Sequence, residues 1–464
     1  MTPRPARRAP ADTRHVQPSR RVAFEVLRAI DENDAYANLL LPARIGEARL
    51  TSPDAAFATE LCYGTLRWRG LYDRIIELAA GRPTDRIDPP VLDLLRLGVH
   101  QLVGMRVAAH AAVDETVSLG RRSGAAAASG FVNGVLRTIA RTPADDWRAH
   151  AVTGLQGDAR LAVATSHPEW IVAAFRDALA AEGREDELAD LLAADNAPPR
   201  VSLVALPGLA EPDELGSPGA VSPVGATLSG GDPGAVPAVA AGRARVQDEG
   251  SQLATLALSR ARPVQEGERW LDLCAGPGGK AALLAAEARR AGASLLANEL
   301  APARAGLVRR ALAVFGEEAP RVVAGDGRRI GRDQPSAFHR ILLDAPCTGL
   351  GALRRRPEAR WRKTATDLEA LTLLQAELLD SAAAALRPGG LLAYVTCSPH
   401  LDETRAQVAG ALQRHPGLKT VETSAVLAGI AVRDLGLLSA PAAQSWPHRT
   451  GTDAMFVQLL TKAT

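Results

Sequence analysis

A chain of 464 residues, 47% hydrophobic and 23% charged, has the make-up of a globular protein of about three domains. Nothing approaches the ~18 consecutive apolar residues of a membrane span, so no membrane partner is expected. A formal net charge of +2 is too small to establish a nucleic-acid partner, which only local clustering of charge can argue for.

Residues 1–16 carry Arg4, Arg7, Arg8 and Arg14 among prolines, with no apolar segment. That excludes a secretory signal and predicts a disordered basic arm. From Val22 to Ile139 apolar residues recur at helical spacing, as in Val22, Val26 and Ile30 or Leu92, Leu95 and Val99, and residues 17–146 are predicted to form an all-helical domain. Across 147–245 the signal weakens. Helices are predicted over Pro168–Ala181 and Glu185–Ala194, while the stretch 206–242, rich in Pro, Gly, Ala, Ser and Val, suits a small α+β module with a few short strands or a loose linker. From 246 to 464 short apolar runs alternate with helices. The runs are Trp270–Cys274, Ser294–Asn298, Arg321–Ala324, Arg340–Leu343 and Leu391–Val395, with helices over Gly278–Arg290 and Asp367–Leu386. This alternation predicts an α/β, Rossmann-like, doubly wound and mostly parallel sheet, whose ligands bind beyond the carboxyl ends of the strands.

The motifs fall at those ends. Asp272-Leu273-Cys274-Ala275-Gly276-Pro277-Gly278-Gly279-Lys280 joins a strand to a helix. Glycines let a ligand approach the backbone, and a helix amino end offers amides to a polar group. A Walker loop needs Gly at 274 and Ser or Thr at 281, and a dinucleotide fingerprint needs Gly at 281; neither is present. What remains is the compact turn that holds the amino-acid end of S-adenosylmethionine. Glu299, twenty residues beyond Gly279, is placed for ribose hydroxyls, and Asp326 for the adenine amine.

The four cysteines, Cys62, Cys274, Cys347 and Cys397, form no CxxC pair and have no His at ligand spacing, which argues against a disulfide framework or any metal site and fits a reducing cytoplasm. Cys347 follows the fourth predicted strand in Asp344-Ala345-Pro346-Cys347, and Cys397 follows the fifth in Thr396-Cys397-Ser398. Sequential strands of such a sheet are often neighbours, so both thiols can reach one site. Carbon 5 of cytosine is a poor nucleophile until a thiolate adds to carbon 6 and turns the ring into an enamine. Lys280 and a helix start after Cys397 are candidates for favouring the thiolate, and Asp344 for holding the cytosine edge at nitrogen 3. Only four of the 54 basic residues are lysine, so Lys280 in the motif suggests a need for a compact ammonium. Cys62 suits a buried hydrophobe and Cys274 a backbone role in the turn. Arg354, Arg355, Arg356, Arg360 and Trp361 combine cations with an aromatic, a pattern suited to RNA phosphates and base stacking.

DLCAGPGGK, VVAGDGRR, LDAPCTGLGALRRRPEARW and VTCSPHLDE resemble, in order, the catalytic motifs of the RsmB/NOP family of RNA cytosine-5 methyltransferases, and VQDEGSQLA resembles the helix that precedes them. Residues 17–140 resemble the antitermination factor NusB, an all-helical RNA-binding module. The resemblance implies a class I methyltransferase domain using S-adenosylmethionine, with Cys397 as nucleophile and Cys347 assisting release. It implies that Cys274 to Lys280, with Glu299, Asp326 and Asp344, bind the cofactor and the substrate edge. The fusion to the helical domain implies 16S rRNA as the RNA partner, with no obligate protein partner; transfer RNA stays open as a substrate, as does a non-catalytic assembly role. Three departures stand out: Arg200-Val201-Ser202 replaces the family's Arg-x-Asn, Glu299 replaces a common Asp, and Asp453-Ala454-Met455-Phe456 replaces an Asp-Gly-aromatic-aromatic run.

Overall fold

The computed structural model describes residues 16–33 and 35–464, so the predicted basic arm, apart from Val16, lies outside the described residues. The chain divides into two compact units. The first runs to Glu169 and takes back Arg356–Glu358; the second comprises Trp170–Arg355 and Ala359–Thr464. None of the helices among the described residues is long and apolar enough to cross a membrane.

The first unit is helical throughout its described residues, from Pro18–Asn33 to Gly157–Thr165. Amphipathic stripes such as Val22, Val26 and Ile30 pack with Leu94, Leu95 and Leu136 in one core. Arg96, almost fully buried, donates to both carboxylate oxygens of Asp73 at 2.7 and 2.8 Å and to Asp93 at 3.0 Å. Such pairing is what makes a buried charge tolerable. The unit extends past the predicted boundary at 146, because Trp147 and Ala151 belong to the same core and Trp147 Nε1 donates to Ile139 O at 2.9 Å.

The second unit opens with helices near those predicted, Glu169–Ala180 and Leu188–Asn196. A small antiparallel sheet comes next, built from β1 (Val201–Ala205), β2 (Ser217–Pro218), β3 (Gly225–Leu228) and β4 (Ala244–Val246) in the order β2-β3-β1-β4. Leu203, Ala205, Leu215, Ala226, Ala238 and Ala244 give it a core of its own. Residues 206–242 are therefore an ordered module and not a loose linker. Glu249 fastens this module to the helix Glu249–Arg260 by accepting the amides of Ala220, Val221 and Ser222 at 3.0, 2.7 and 2.8 Å.

The main sheet contains β5 (Arg269–Asp272), β6 (Ser294–Glu299), β7 (Arg321–Ala324), β8 (Phe338–Asp344), β9 (Leu386–Thr396), β10 (Leu418–Thr420), β11 (Ala443–Gln444) and β12 (Phe456–Lys462). Its order is β10-β12-β9-β8-β5-β6-β7, with β11 beside β12. The pairs from β7 to β9 are parallel, whereas β12 runs antiparallel to β9, β10 and β11. The predicted doubly wound, mostly parallel sheet is what forms. Trp270, Leu342, Ala393 and Val395 face the helices Glu249–Arg260 and Gly279–Arg290, while Leu271, Ile341, Leu392 and Tyr394 face the helix Ala365–Ala385. Burial on both faces explains why these strands read as continuous apolar runs. The direction of winding changes between β5 and β8, which opens a crevice at their carboxyl ends.

Candidate active site

The turn after β5 is built for close approach. Gly278 has φ +112°, and a Cβ there would lie 2.6 Å from Ala311 Cβ and 3.2 Å from Val308 Cα. A Cβ on Gly276 would run into Glu299 Oε2. Only glycine fits at 278, whereas at 276 a side chain would displace the Glu299 carboxylate. Glu299 closes β6 and turns back on this loop, Oε2 accepting from Gly276 N at 3.0 Å and Oε1 from Ala301 N at 3.0 Å. Arg304 donates to Gly276 O at 2.7 Å. Asp326 follows β7 as predicted, but both its oxygens are engaged by the Arg328 guanidinium at 2.7 to 3.0 Å, which holds its carboxyl below the usual carboxylate range. Cys274 lies in the turn, where burial pushes its thiol well up.

One residue of the turn gave no separate signal in the sequence. Asp272, the last residue of β5, is fully buried, and no side chain among the described residues hydrogen-bonds its carboxyl. Burial, reinforced by the charge of Asp344, pushes its pKa up to about 8. A tight glycine turn with a buried acid behind it suits a polar cofactor end such as the amino-acid part of S-adenosylmethionine.

Lys280 is the second residue of the next helix, and its Nζ lies 2.9 Å from Asp344 Oδ2 at the end of β8. Burial opposes the ammonium charge, but Asp344 outweighs it and holds the Lys280 pKa above its ordinary value. Asp344 therefore sits in the crevice beside a fixed cation.

The two cysteines meet. Cys347 Sγ and Cys397 Sγ are 3.4 Å apart, a thiol contact with no disulfide between them. Neighbouring strands bring them together: β8 and β9 are parallel and in register from Arg340 to Asp344. Past the strand ends, Ala345 N donates to Val395 O at 2.9 Å and Gly351 N to Cys397 O at 2.8 Å. Thr348 Oγ1 lies 3.1 Å from Ser398 Oγ. Glu403, fully buried, accepts from Thr348 N at 2.7 Å, from Thr348 Oγ1, and from Gln375 Nε2 at 3.1 Å. A hydrogen bond toward Cys397, then burial, raises the Cys347 pKa well above that of an ordinary thiol. Sequence reasoning misses Glu403, since nothing in Leu401-Asp402-Glu403 says which acid turns inward. The predicted helix start after Cys397 is also absent: Ser398 to His400 lead into one 3-10 turn, Leu401–Glu403, and the helix begins only at Arg405.

The basic segment differs most from expectation. Arg354 and Arg355 both bind Asp453 and Asp248, Arg354 Nε being 3.0 Å and Arg355 Nε 2.9 Å from Asp453 Oδ1. Arg360 is fully buried and donates to Asn196 Oδ1 at 2.8 Å and Asp195 O at 3.0 Å. Trp361 is half-buried, with an indole nitrogen inside. Of the five residues assigned to RNA, only Arg356 is exposed, its guanidinium 5.7 Å from the centre of the Tyr36 ring. The run of cations reads as a surface, but Asp248 and Asp453 engage Arg354 and Arg355, and Arg360 is turned inward.

Residues 261–461 match the family described as 16S rRNA methyltransferase RsmB/F, and residues 17–141 match the NusB family. A putative methyltransferase of Mycobacterium tuberculosis is 48% identical over 100% of both chains. A probable ribosomal RNA small subunit methyltransferase B of Bacillus subtilis is 30% identical over 96% of this chain and 98% of its own. A ribosomal RNA small subunit methyltransferase B of Pseudomonas putida is 33% identical, with 87% and 91% covered. Among solved structures, that of PH0851 has a TM-score of 0.80 at 22% identity, covering 96% of this chain and 99% of that one, a likeness of fold.

Proposed function

As this chain belongs to the RsmB/F family of rRNA methyltransferases, we propose that it methylates carbon 5 of a cytosine in 16S rRNA through a covalent bond from Cys397 to carbon 6. The observation that carries this reading is the 3.4 Å contact of Cys347 and Cys397 beside the glycine-lined crevice. Bound S-adenosylmethionine supplies an electrophilic methyl group. Cys274, Ala275, Gly276, Pro277, Gly278 and Gly279 present backbone to its amino-acid end, and Glu299 and Asp326 stand at the ends of the two outer strands on that side.

The Cys397 thiolate adds to carbon 6, which breaks the 5,6 double bond and leaves an enamine whose carbon 5 takes the methyl group as the sulfonium–methyl bond breaks and the donor leaves as a neutral thioether. Asp344, held by Lys280 at 2.9 Å, binds the cytosine edge and stabilises the adduct. Loss of the carbon 5 proton to solvent then returns the electron pair of the S–C6 bond to Cys397, and Cys347 assists this elimination. The NusB-like domain and Arg356 serve RNA binding.

The test is a pair of variants on purified 16S rRNA with labelled donor. Cys397→Ala abolishes both methyl transfer and any denaturant-resistant protein–RNA complex, whereas Cys347→Ala accumulates that complex. Full methylation by Cys397→Ala refutes the mechanism.

A further inference from the structure

Glu403 is a carboxylate with no exposed surface, and all three of its hydrogen-bond donors are neutral: the Thr348 amide, the Thr348 hydroxyl and the Gln375 amide. No ion pair to it is seen among the described residues. A buried charge without a counter-ion is costly, and three neutral donors offset that only in part. Its location is specific: it follows Cys397 by six residues and grips the residue directly after Cys347. The Tyr394 hydroxyl donates to the Glu403 carbonyl at 2.7 Å and ties this turn to β9.

Resting on the covalent mechanism just proposed, we propose that Glu403 is a positioning residue that decides which sulfur carries the proton: it keeps Cys347 as a thiol aimed at Cys397 and so leaves Cys397 as the thiolate. Charges of opposite sign act on the two sulfurs. The groups that act on Cys347 are Cys397, Glu403, Asp344 and the Tyr394 hydroxyl; the hydrogen bond with Cys397 and then burial raise its pKa most, and the charges of Glu403 and Asp344 add to that. Lys280 interacts with Cys397, where an ammonium favours the anion. Glu403 disfavours the anion at Cys347 while Lys280 favours it at Cys397, which distinguishes two otherwise similar thiols. The S–H of Cys347 then donates across 3.4 Å to the Cys397 sulfur. That bond supports the attacking thiolate, and it supports the same sulfur again when the S–C6 electron pair returns to it. No proton has to cross between the cysteines in either step.

The test needs neither RNA nor methyl donor. Intact protein is treated with limiting iodoacetamide over a pH series, and the labelled peptides are quantified by mass spectrometry. In the wild type Cys397 is carbamidomethylated ahead of Cys347 by about tenfold or more, the ratio that one unit of pKa separation gives. Glu403→Gln, which removes the charge and keeps the shape, lowers that ratio by about tenfold as Cys347 gains reactivity. Glu403→Asp, which keeps the charge, preserves it. Equal losses in Glu403→Gln and Glu403→Asp overturn the proposal, as does an unchanged ratio in Glu403→Gln. If Glu403→Gln does not fold, the wild type still decides, because Cys347 reacting first contradicts the assignment. Failure here leaves the Cys397→Ala result on RNA intact, so the two claims are separable.

Discussion

Lys280 Nζ lies 2.9 Å from Asp344 Oδ2, joining the first residues of one crossover helix to the end of the strand beside it. Lys280→Met is expected to lower methyl transfer about 100-fold, the usual scale for removing one preorganised charge from a reaction site. Lys280→Arg restores little, because a planar guanidinium does not occupy the place of a compact ammonium. Incorporation of labelled methyl groups measures both. Since Asp344 holds the Lys280 pKa above its normal value, this residue contributes no limb to the rate profile near neutral pH.

Asp272 makes the stability of the protein depend on pH in a defined direction. Its folded pKa is about 8, against about 4 in the unfolded chain, so between these values the folded form retains a proton that the unfolded form has lost. Its contribution to stability therefore falls as pH rises through that window, by up to about 1.4 kcal/mol per unit. Asp272→Asn is uncharged throughout, and wild-type stability relative to it is expected to drop between pH 5 and pH 8 in urea unfolding. A difference that does not change with pH means the carboxyl is ionised in the fold.

Arg354 shares Asp453 and Asp248 with Arg355. Breaking a buried pair by removing one partner costs about 3–5 kcal/mol. Arg354→Ala is accordingly expected to lower the denaturation midpoint markedly while leaving the salt dependence of RNA affinity unchanged. Were Arg354 a phosphate contact, the slope of log Kd against log salt would fall by about one instead.

Gly278→Ala tests the cradle. Its φ of +112° and the 2.6 Å approach to Ala311 leave no room for a methyl group, so the turn must shift. Calorimetry is expected to register loss of S-adenosylmethionine binding, with about 1–3 kcal/mol lost from stability.

The parallel part of the sheet is legible in the sequence because burial on both faces writes it as short apolar runs between helices, and β7 at Arg321–Ala324 is predicted to the residue. The meeting of Cys347 and Cys397 is equally legible, since successive strands of such a sheet tend to pair. The antiparallel additions are not. β10 has three residues and β11 two, too short for any periodicity, and β12 at Phe456–Lys462 resembles a buried helix segment as much as a strand. The fate of the arginines is hidden for another reason: Asp248 and Asp453 are more than 90 residues from them in the chain, and only the fold brings them near. Glu403 is hidden because inward and outward acids in a turn look alike in a sequence.

The pairing of β12 with β9, from Phe456 opposite Thr396 to Thr461 opposite Leu391, has a consequence for how the chain matures. The strand that leads into Cys397 emerges from the ribosome some sixty residues before the segment that covers its open side. Until that segment arrives, an apolar strand presents unsatisfied amides and carbonyls, an invitation to foreign strands. Nascent chains halted before residue 456 are therefore the species that chaperones would be called on to shield.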